Sequence, residues 1–215
     1  MSLHVDLRKR ATAEAIGTAL LLAAVVGSGI MGERLSGGNV AIALLANTVS
    51  TGAALVALIL ALGPISGAHF NPAVTLVDAW QGGLAWRDVV PLVTAQIAGA
   101  FAGVAAASVM FGEPVFSLSE HARTGGAQVF SEFVATFGLL SVIWGCVSRR
   151  PEAIPFAVGA YITSAYWFTA STSFANPAVT LARAFTDTFA GIRIVDAPLF
   201  ILAQIVGAVA ATALF

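Results

Sequence analysis

Six residues, Asn-Pro-Ala-Val-Thr-Leu, occur twice in the chain, at 71–76 and at 176–181. Each copy follows a stretch that contains Gly or Ser, "GPISGAHF" and "ASTSFA", and opens a short apolar segment. Asn is a good helix N-cap and Pro is favoured at the first helical position, so the copies predict short helices over 71–80 and 176–185. At 1.5 Å per residue, each helix reaches about 15 Å, which is half of a bilayer's hydrocarbon core.

The chain around these copies is too apolar for a soluble protein. Of its 215 residues, 58% are hydrophobic and 10% are charged, and the mean hydropathy is +0.90, whereas a soluble domain carries roughly 25% charged residues. The composition therefore predicts an integral membrane protein. A net charge of −1 argues against a nucleic-acid partner, and the single cysteine, Cys146, excludes an intrachain disulfide framework.

Six further stretches are long enough to cross about 30 Å of hydrocarbon. They cover residues 11–31, 40–62, 88–111, 128–148, 154–172 and 196–215. The stretches are apolar all round and about 20 residues long, whereas a β-barrel would show alternation over about ten residues. The sequence therefore predicts an all-α integral membrane fold with six transmembrane helices and two re-entrant half-helices.

The sequence similarity between the two parts of the chain extends beyond this motif. "AEAIGTALLLA" (13–23) resembles "SEFVATFGLLS" (131–141), and "AQIAGA" (95–100) resembles "AQIVGA" (203–208). We therefore predict one structural domain built from two repeats, 1–111 and 128–215, joined by an external loop at 112–127. Each repeat has three spans, so the second enters the membrane from the opposite side, and such inverted repeats place their sites at the midplane. The two half-helices should then meet N-terminus to N-terminus, where their dipoles create a positive potential.

The basic residues predict the orientation. One side receives Arg8, Lys9, Arg10, Arg87, Arg149 and Arg150. The other side receives Arg34, Arg123, Arg183 and Arg193. The bias predicts that both termini are cytoplasmic, in the inner (plasma) membrane of the cell. The charged residues of the 112–127 loop are expected to be solvated.

Two carboxylates lie inside predicted spans, at Glu14 and Glu132. A carboxylate in a transmembrane span is costly and usually functional, and these two occupy equivalent places in the repeats. We expect each to accept hydrogen bonds from backbone N–H groups of the loop before a half-helix, and so to anchor that loop with its carbonyls toward a pore. Four glycines, Gly99, Gly103, Gly159 and Gly207, are expected to permit close helix packing.

The paired motifs, the stretch "SGAHFNPAVT", the opening "AEAIGT" and the duplicated three-span halves resemble the aquaporin (major intrinsic protein) family, in particular an aquaglyceroporin-like bacterial member. The resemblance covers nearly the whole chain. It implies a homotetramer in the lipid bilayer with one pore per subunit, and passive conduction of water or small uncharged solutes, with no cofactor and no catalysis. By position, it carries the pore centre onto Asn71, Pro72, Ala73, Asn176, Pro177 and Ala178, and the pore-lining loops onto Gly67, Ala68, His69, Phe70, Phe174 and Ala175.

Counted without gaps from the two motifs, the family's four selectivity-filter positions fall on Thr51, Ser164, Ser173 and Val179. Most members have arginine directly after the second motif, and water-selective members add an aromatic residue and a histidine. Four small uncharged residues predict a wide filter, because pore diameter, lining donors and electrostatic barriers set selectivity. We therefore expect glycerol-like polyols and neutral metalloid hydroxides such as arsenite to pass, as well as water. Arg183, one helical turn after Val179, is a candidate to replace part of the missing charge.

Three other functions compete with this one. A water-selective aquaporin is the nearest alternative. A coupled secondary transporter also uses inverted repeats and broken helices, but no ion-coordinating carboxylate accompanies the broken helices here. An intramembrane enzyme has little support, because no Ser/His/Asp set and no metal-ligand spacing occurs and the histidines are scattered.

Overall fold

The computed structural model describes residues 5–215, so the first four residues of the predicted first repeat lie outside the described residues. Every regular element in this part of the chain is a helix, which confirms the predicted fold class. The elements are α1 (Leu7–Leu35), α2 (Val40–Ser66), α3 (Pro72–Trp80), α4 (Trp86–Phe111), α5 (Gly126–Val147), a 3₁₀ turn (Pro151–Ala153), α6 (Ile154–Phe168), α7 (Pro177–Arg183) and α8 (Ala197–Thr212).

Four helices, α1, α2, α4 and α5, are long and apolar enough to cross a membrane by their length and composition. The other two predicted spans are shorter than expected. α6 has 15 residues and ends at Phe168, not at residue 172, because the chain leaves the helix there to form the loop before α7. α8 has 16 residues rather than the predicted 196–215. The 3₁₀ turn before α6 adds one further turn to that span.

The two short helices begin where the repeated motif predicts. Asn71 and Asn176 are the N-caps of α3 and α7, and the proline that follows each of them is the first helical residue. α7 ends at Arg183, two residues before the predicted end, because Ala184 turns the chain with a backbone hydrogen bond to Leu181. Both helices are therefore half-length, with nine and seven residues.

The helices pack in the same way in both halves. α1 lies against α2 and α4, and α5 lies against α6 and α8, while α2 and α6 join the halves. Each short helix packs on both α4 and α8, and α3 contacts α7. The predicted role of small residues is confirmed: a Cβ at Gly207 would lie 2.6 Å from the carbonyl oxygen of Phe133, so only glycine lets α8 approach α5 this closely.

Large apolar side chains cover the outside of the bundle. Leu20, Leu45, Leu199 and Leu202 are each more than half exposed. In water such a surface would be an aggregation hazard, whereas in a bilayer it contacts lipid tails. The polar groups lie inside instead, around the two loops that precede α3 and α7.

Candidate functional site

A cavity of about 180 Å³ runs between the two halves, many times the roughly 10–15 Å³ that a single water requires. Its walls come from α1, α2, α5 and α6, from both short helices and from both of the loops before them. At one end lie Asp78, Val147 and Ile154, and at the other lie Tyr166 and Arg183. All six residues of the predicted pore-lining loops face it, namely Gly67, Ala68, His69, Phe70, Phe174 and Ala175.

The two motif asparagines meet in the middle of the cavity wall. Nδ2 of Asn71 donates to the carbonyl of Ala175, and Nδ2 of Asn176 donates to the carbonyl of Phe70, at 2.7 Å in both cases. Each Oδ1 accepts from the backbone N–H two residues further on, at 3.0 Å. An amide nitrogen carries two hydrogens, so each Asn retains one N–H for the lumen that it lines. The prolines and alanines of the motifs belong to the helix starts and are not part of the cavity wall.

The loops before the short helices have an unusual backbone. Positive φ angles occur at Ala68 (50°) and Phe70 (50°) in the first loop, and at Thr172 (61°), Ser173 (51°) and Ala175 (49°) in the second. Non-glycine residues in this region cost on the order of 1–3 kcal/mol each and persist only where their surroundings hold them. Non-helical backbone at membrane depth is tolerated where it is packed in protein or lines a water-filled cavity, and these loops do both.

The carboxylate of Glu14 holds the first loop, as predicted. Its Oε1 accepts from the hydroxyl of Ser66 (2.6 Å) and the backbone N–H of His69 (3.0 Å). Its Oε2 accepts from the backbone N–H of Phe70 and from Nε2 of Gln96, both at 2.7 Å. Glu14 is fully buried, so four donors replace the water that it has lost.

Glu132 holds the second loop in the equivalent way. It accepts from the backbone N–H groups of Phe174 (2.9 Å) and Ala175 (2.8 Å) and from Nε2 of Gln204 (2.6 Å). It too is fully buried. Both predicted glutamate contacts to the loops are therefore present.

Sequence reasoning missed two residue pairs that connect these carboxylates to the motifs. Nε2 of Gln96 also donates to Thr75, and Nε2 of Gln204 also donates to Thr180, at 2.8 Å in both cases. Each Thr hydroxyl donates in turn to the backbone carbonyl of its motif asparagine. The repeated "AQI" and the Thr of "NPAVTL" were visible as identities between the halves, and these bonds explain them.

Three of the four predicted filter positions line the cavity. Thr51, Ser173 and Val179 are all buried and all face the lumen. The hydroxyl of Ser173 is buried and has no hydrogen-bond partner among the described residues. The residue that directly follows the second Asn-Pro-Ala is thus the uncharged Val179.

The prediction for Ser164 is wrong. Ser164 is exposed on the far side of α6, and its hydroxyl donates to the carbonyl of Tyr161 (2.8 Å). The cavity-facing residues of α6 follow one another every four positions, ending at Ile162 and Tyr166, which is the spacing of one helix face. Position 164 lies on the opposite face. Tyr166 faces the cavity instead, and its hydroxyl donates to Thr51 at 3.3 Å.

Two arginines lie buried near this end of the cavity. Arg183 lines it and is 2% exposed, and its guanidinium carbon lies 3.4 Å from the ring centre of Phe174. Arg123 is 8% exposed and lies 4.9 Å from the same ring. The expectation that the charged residues of the 112–127 loop are solvated is therefore wrong for Arg123, because backbone carbonyls of Gly191 and Ser171 accept from its guanidinium.

The opposite end of the cavity carries His69 and Asp78. Nδ1 of His69 lies 3.1 Å from the hydroxyl of Thr75, and its Nε2 lies 3.5 Å from Asp78. Over residues 5–215 no group of three or more His, Cys, Asp or Glu side chains is arranged to hold a metal ion.

The wall of the cavity has a polar side and an apolar side. The polar side consists of the two loops and the two asparagines described above. The apolar side is formed by helix side chains that include Leu21, Val25, Leu55, Leu139, Ile143, Val158 and Ile162. Such a lumen can hydrogen-bond one edge of a small solute while it contacts carbon on the other edge.

The chain is similar to known proteins over almost its whole length. A model of the major intrinsic protein family matches residues 1–154. The aquaglyceroporin AqpS of Rhizobium meliloti (strain 1021) is 58% identical over 209 residues, which are 97% of this chain and 89% of that protein. The probable aquaporin AqpM of Archaeoglobus fulgidus is 31% identical over 240 residues, covering 98% of this chain and 97% of its own. The X-ray structure of the aquaglyceroporin from Plasmodium falciparum superposes with a TM-score of 0.76 over 97% of this chain and 95% of that one, at 20% identity.

Proposed function

Because the chain belongs to the major intrinsic protein family, a family of membrane channels, we propose that it is a passive channel for small uncharged solutes. The solutes are glycerol-like polyols, neutral metalloid hydroxides such as arsenite, and water. Its 58% identity to a protein named an aquaglyceroporin supports this choice of solutes. The function requires no catalysis and no cofactor, since the solute moves down its own gradient.

The observation that carries the proposal is the two-sided cavity, with an uncharged valine at the filter position after the second motif. A polyol presents hydroxyl groups along one edge and carbon along the other, which matches a wall of loop backbone and Asn amides facing a wall of Leu, Val and Ile. Val179 adds an apolar surface at a position where the longer side chain of an arginine would occupy part of the lumen. Selectivity in such pores depends on diameter and on the lining donors and acceptors.

The pore centre supports exclusion of ions. The remaining N–H of Asn71 and of Asn176 can donate to a passing oxygen, whereas a cation needs acceptors there. The N-termini of α3 and α7 meet at this point, and their aligned peptide dipoles make the potential positive. A small neutral molecule that both donates and accepts hydrogen bonds loses the fewest of them when it leaves water and enters the pore.

We extend the proposal to the assembly and the location. The channel is a homotetramer in the inner membrane with both termini cytoplasmic, built from repeats at 1–111 and 128–215. The bias of the basic residues supports this orientation. Native mass spectrometry of the detergent-solubilised protein should give four times 21.9 kDa, and a monomer in mild detergent and in lipid nanodiscs would refute the tetramer.

A water-selective channel is the second candidate, and Tyr166 favours it. An aromatic side chain at the filter narrows the constriction relative to the serine that the sequence predicts at position 164. The two candidates differ in the permeability of glycerol and arsenite.

The test uses purified protein in liposomes. Swelling in isosmotic glycerol and uptake of arsenite should exceed those of empty vesicles and should rise linearly with the gradient. Water passage with glycerol and arsenite at the level of empty vesicles would establish the second candidate. Saturable uptake that collapses when ion gradients are removed would establish a coupled transporter.

A further inference from the structure

Arg183 and Arg123 place two buried positive charges beside the filter, although position 179 carries none. Both guanidinium groups lie over the ring of Phe174, at 3.4 and 4.9 Å from its centre. Phe174 is two residues before the second motif asparagine and faces the cavity. Cation–π contacts of this kind hold a guanidinium in a fixed place.

These charges have no carboxylate partner within the part of the chain described. Every ion pair formed there involves other basic groups. Nε of Arg183 donates to the carbonyl of Ala190, and Arg123 donates to the carbonyls of Gly191 and Ser171. The acceptors of both arginines are therefore neutral, and the buried carboxylate of Glu132 compensates the two charges only at longer range, without an ion pair to either. A buried charge without a direct partner is costly enough that it usually has a function. The carboxylate of Glu132 is occupied by the second loop and Gln204.

His121 adds no third charge at neutral pH. Burial and the positive charges of Arg123 and Arg183 lower its pKa, against a smaller opposing effect of Asp187. The positive charge at this end of the cavity therefore comes from the two arginines.

The position of Arg183 relates it directly to the filter. It lies four residues after Val179 in α7, so both are on the same helix face, about 6 Å apart along the axis. Helical side chains lean toward the N-terminus and cover the preceding turn, which here is the turn that contains Val179. Of the two arginines, Arg183 lines the cavity and Arg123 does not.

We propose that Arg183 is the cation barrier of this channel, displaced by one helical turn from the filter position at 179, and that Arg123 strengthens its potential. The proposal rests on the channel function proposed above and names the residue that makes the channel selective against cations. Because the guanidinium is stacked on Phe174, it repels cations without occupying the space beside Val179. Val179 thereby sets the width of the filter and Arg183 excludes cations, whereas an arginine at position 179 would do both.

The test compares cation leak with glycerol flux in the same vesicles. Sodium and proton leak, divided by glycerol flux, should rise roughly tenfold or more in Arg183→Gln, because the main repulsive charge is gone. Arg183→Lys should stay near the native ratio. Adding Val179→Arg to Arg183→Gln should return the sodium and proton leak itself to the native level, since the charge is restored at the neighbouring turn, although glycerol flux falls in this double variant.

A matched control and a second variant keep the test decisive. Arg34→Gln removes an exposed arginine that is paired with Glu113 and should leave the ratio unchanged. If Arg183→Gln does not reconstitute, Val179→Glu keeps Arg183 and places a carboxylate one turn before it, where the two pair; the ratio should rise there too. A native ratio in Arg183→Gln, or in Val179→Glu, overturns the assignment. Absence of glycerol flux in the native protein would instead refute the proposed function.

Discussion

Replacing Glu14 by Gln should impair flux while leaving the helices in the membrane. Each oxygen of the carboxylate accepts from two donors: Oε1 from Ser66 and His69, and Oε2 from Phe70 and Gln96. An amide has one oxygen, so two of the four donors would face an NH₂ group in Glu14→Gln. A buried donor without an acceptor costs about 1–3 kcal/mol, which makes about 2–6 kcal/mol for two.

That loss is comparable with the strain in the loop that Glu14 holds. Ala68 and Phe70 have φ angles of 50°, which at about 1–3 kcal/mol each amounts to about 2–6 kcal/mol. When the hydrogen-bond energy lost in Glu14→Gln equals the backbone strain of the loop, the pore-lining conformation is no longer favoured over a relaxed one. The cap of α3 by Asn71 does not involve Glu14, so the short helix itself should persist.

Stopped-flow glycerol flux in proteoliposomes, normalised to the inserted protein, measures the effect. A change of about 1.4 kcal/mol in the free energy of the pore-lining conformation already changes its equilibrium constant tenfold. Flux in Glu14→Gln should therefore fall at least about tenfold. Glu132→Gln should behave similarly, because Glu132 holds the second loop through two backbone N–H groups. Glu152→Gln makes the same chemical change at an exposed site and should have no effect. Native flux in Glu14→Gln at a native level of insertion would refute this reasoning.

Three further changes test other parts of the structure. Val179→Arg should reduce glycerol and arsenite flux about tenfold but water flux much less, because a charged side chain fills the uncharged corner of the filter; equal losses for all three solutes would contradict this. Tyr166→Ala should admit larger polyols such as sorbitol, whereas Ser164→Ala should change nothing, and the reverse result would restore the ungapped assignment. Gly207→Ala should lower thermal stability in detergent by about 1–3 kcal/mol, because its Cβ would lie 2.6 Å from the carbonyl oxygen of Phe133. Gly145→Ala, where nothing lies within 4 Å, is its control.

The repeated motif predicted the centre of the molecule well because its rules are local. Asn at an N-cap and Pro at the first helical position are preferences of a few neighbouring residues, and both short helices start where the motif says. The two glutamates were also predictable, because an isolated carboxylate in an apolar span needs donors and the nearest unsatisfied N–H groups are those of the loops.

The filter was less predictable because its residues come from different helices. Thr51 and Val179, found by counting, line the cavity, but Ser164 does not, since the rotation of α6 decides which of its sides faces the lumen. Ile154, Val158, Ile162 and Tyr166 share the face of α6 that lines the lumen. Because the other faces of α6 are also apolar, the sequence does not distinguish this face from them. The burial of Arg123 could not be predicted, because its acceptors are backbone carbonyls some 50 to 70 residues away.

The most direct measurement of the central claim is the permeability of the native protein to glycerol and water in the same proteoliposomes. The two-sided cavity and the uncharged residue at 179 predict glycerol permeability well above that of empty vesicles, with no saturation as the gradient increases. Rapid water flux with glycerol at the level of empty vesicles would contradict the account and would favour the water-selective candidate.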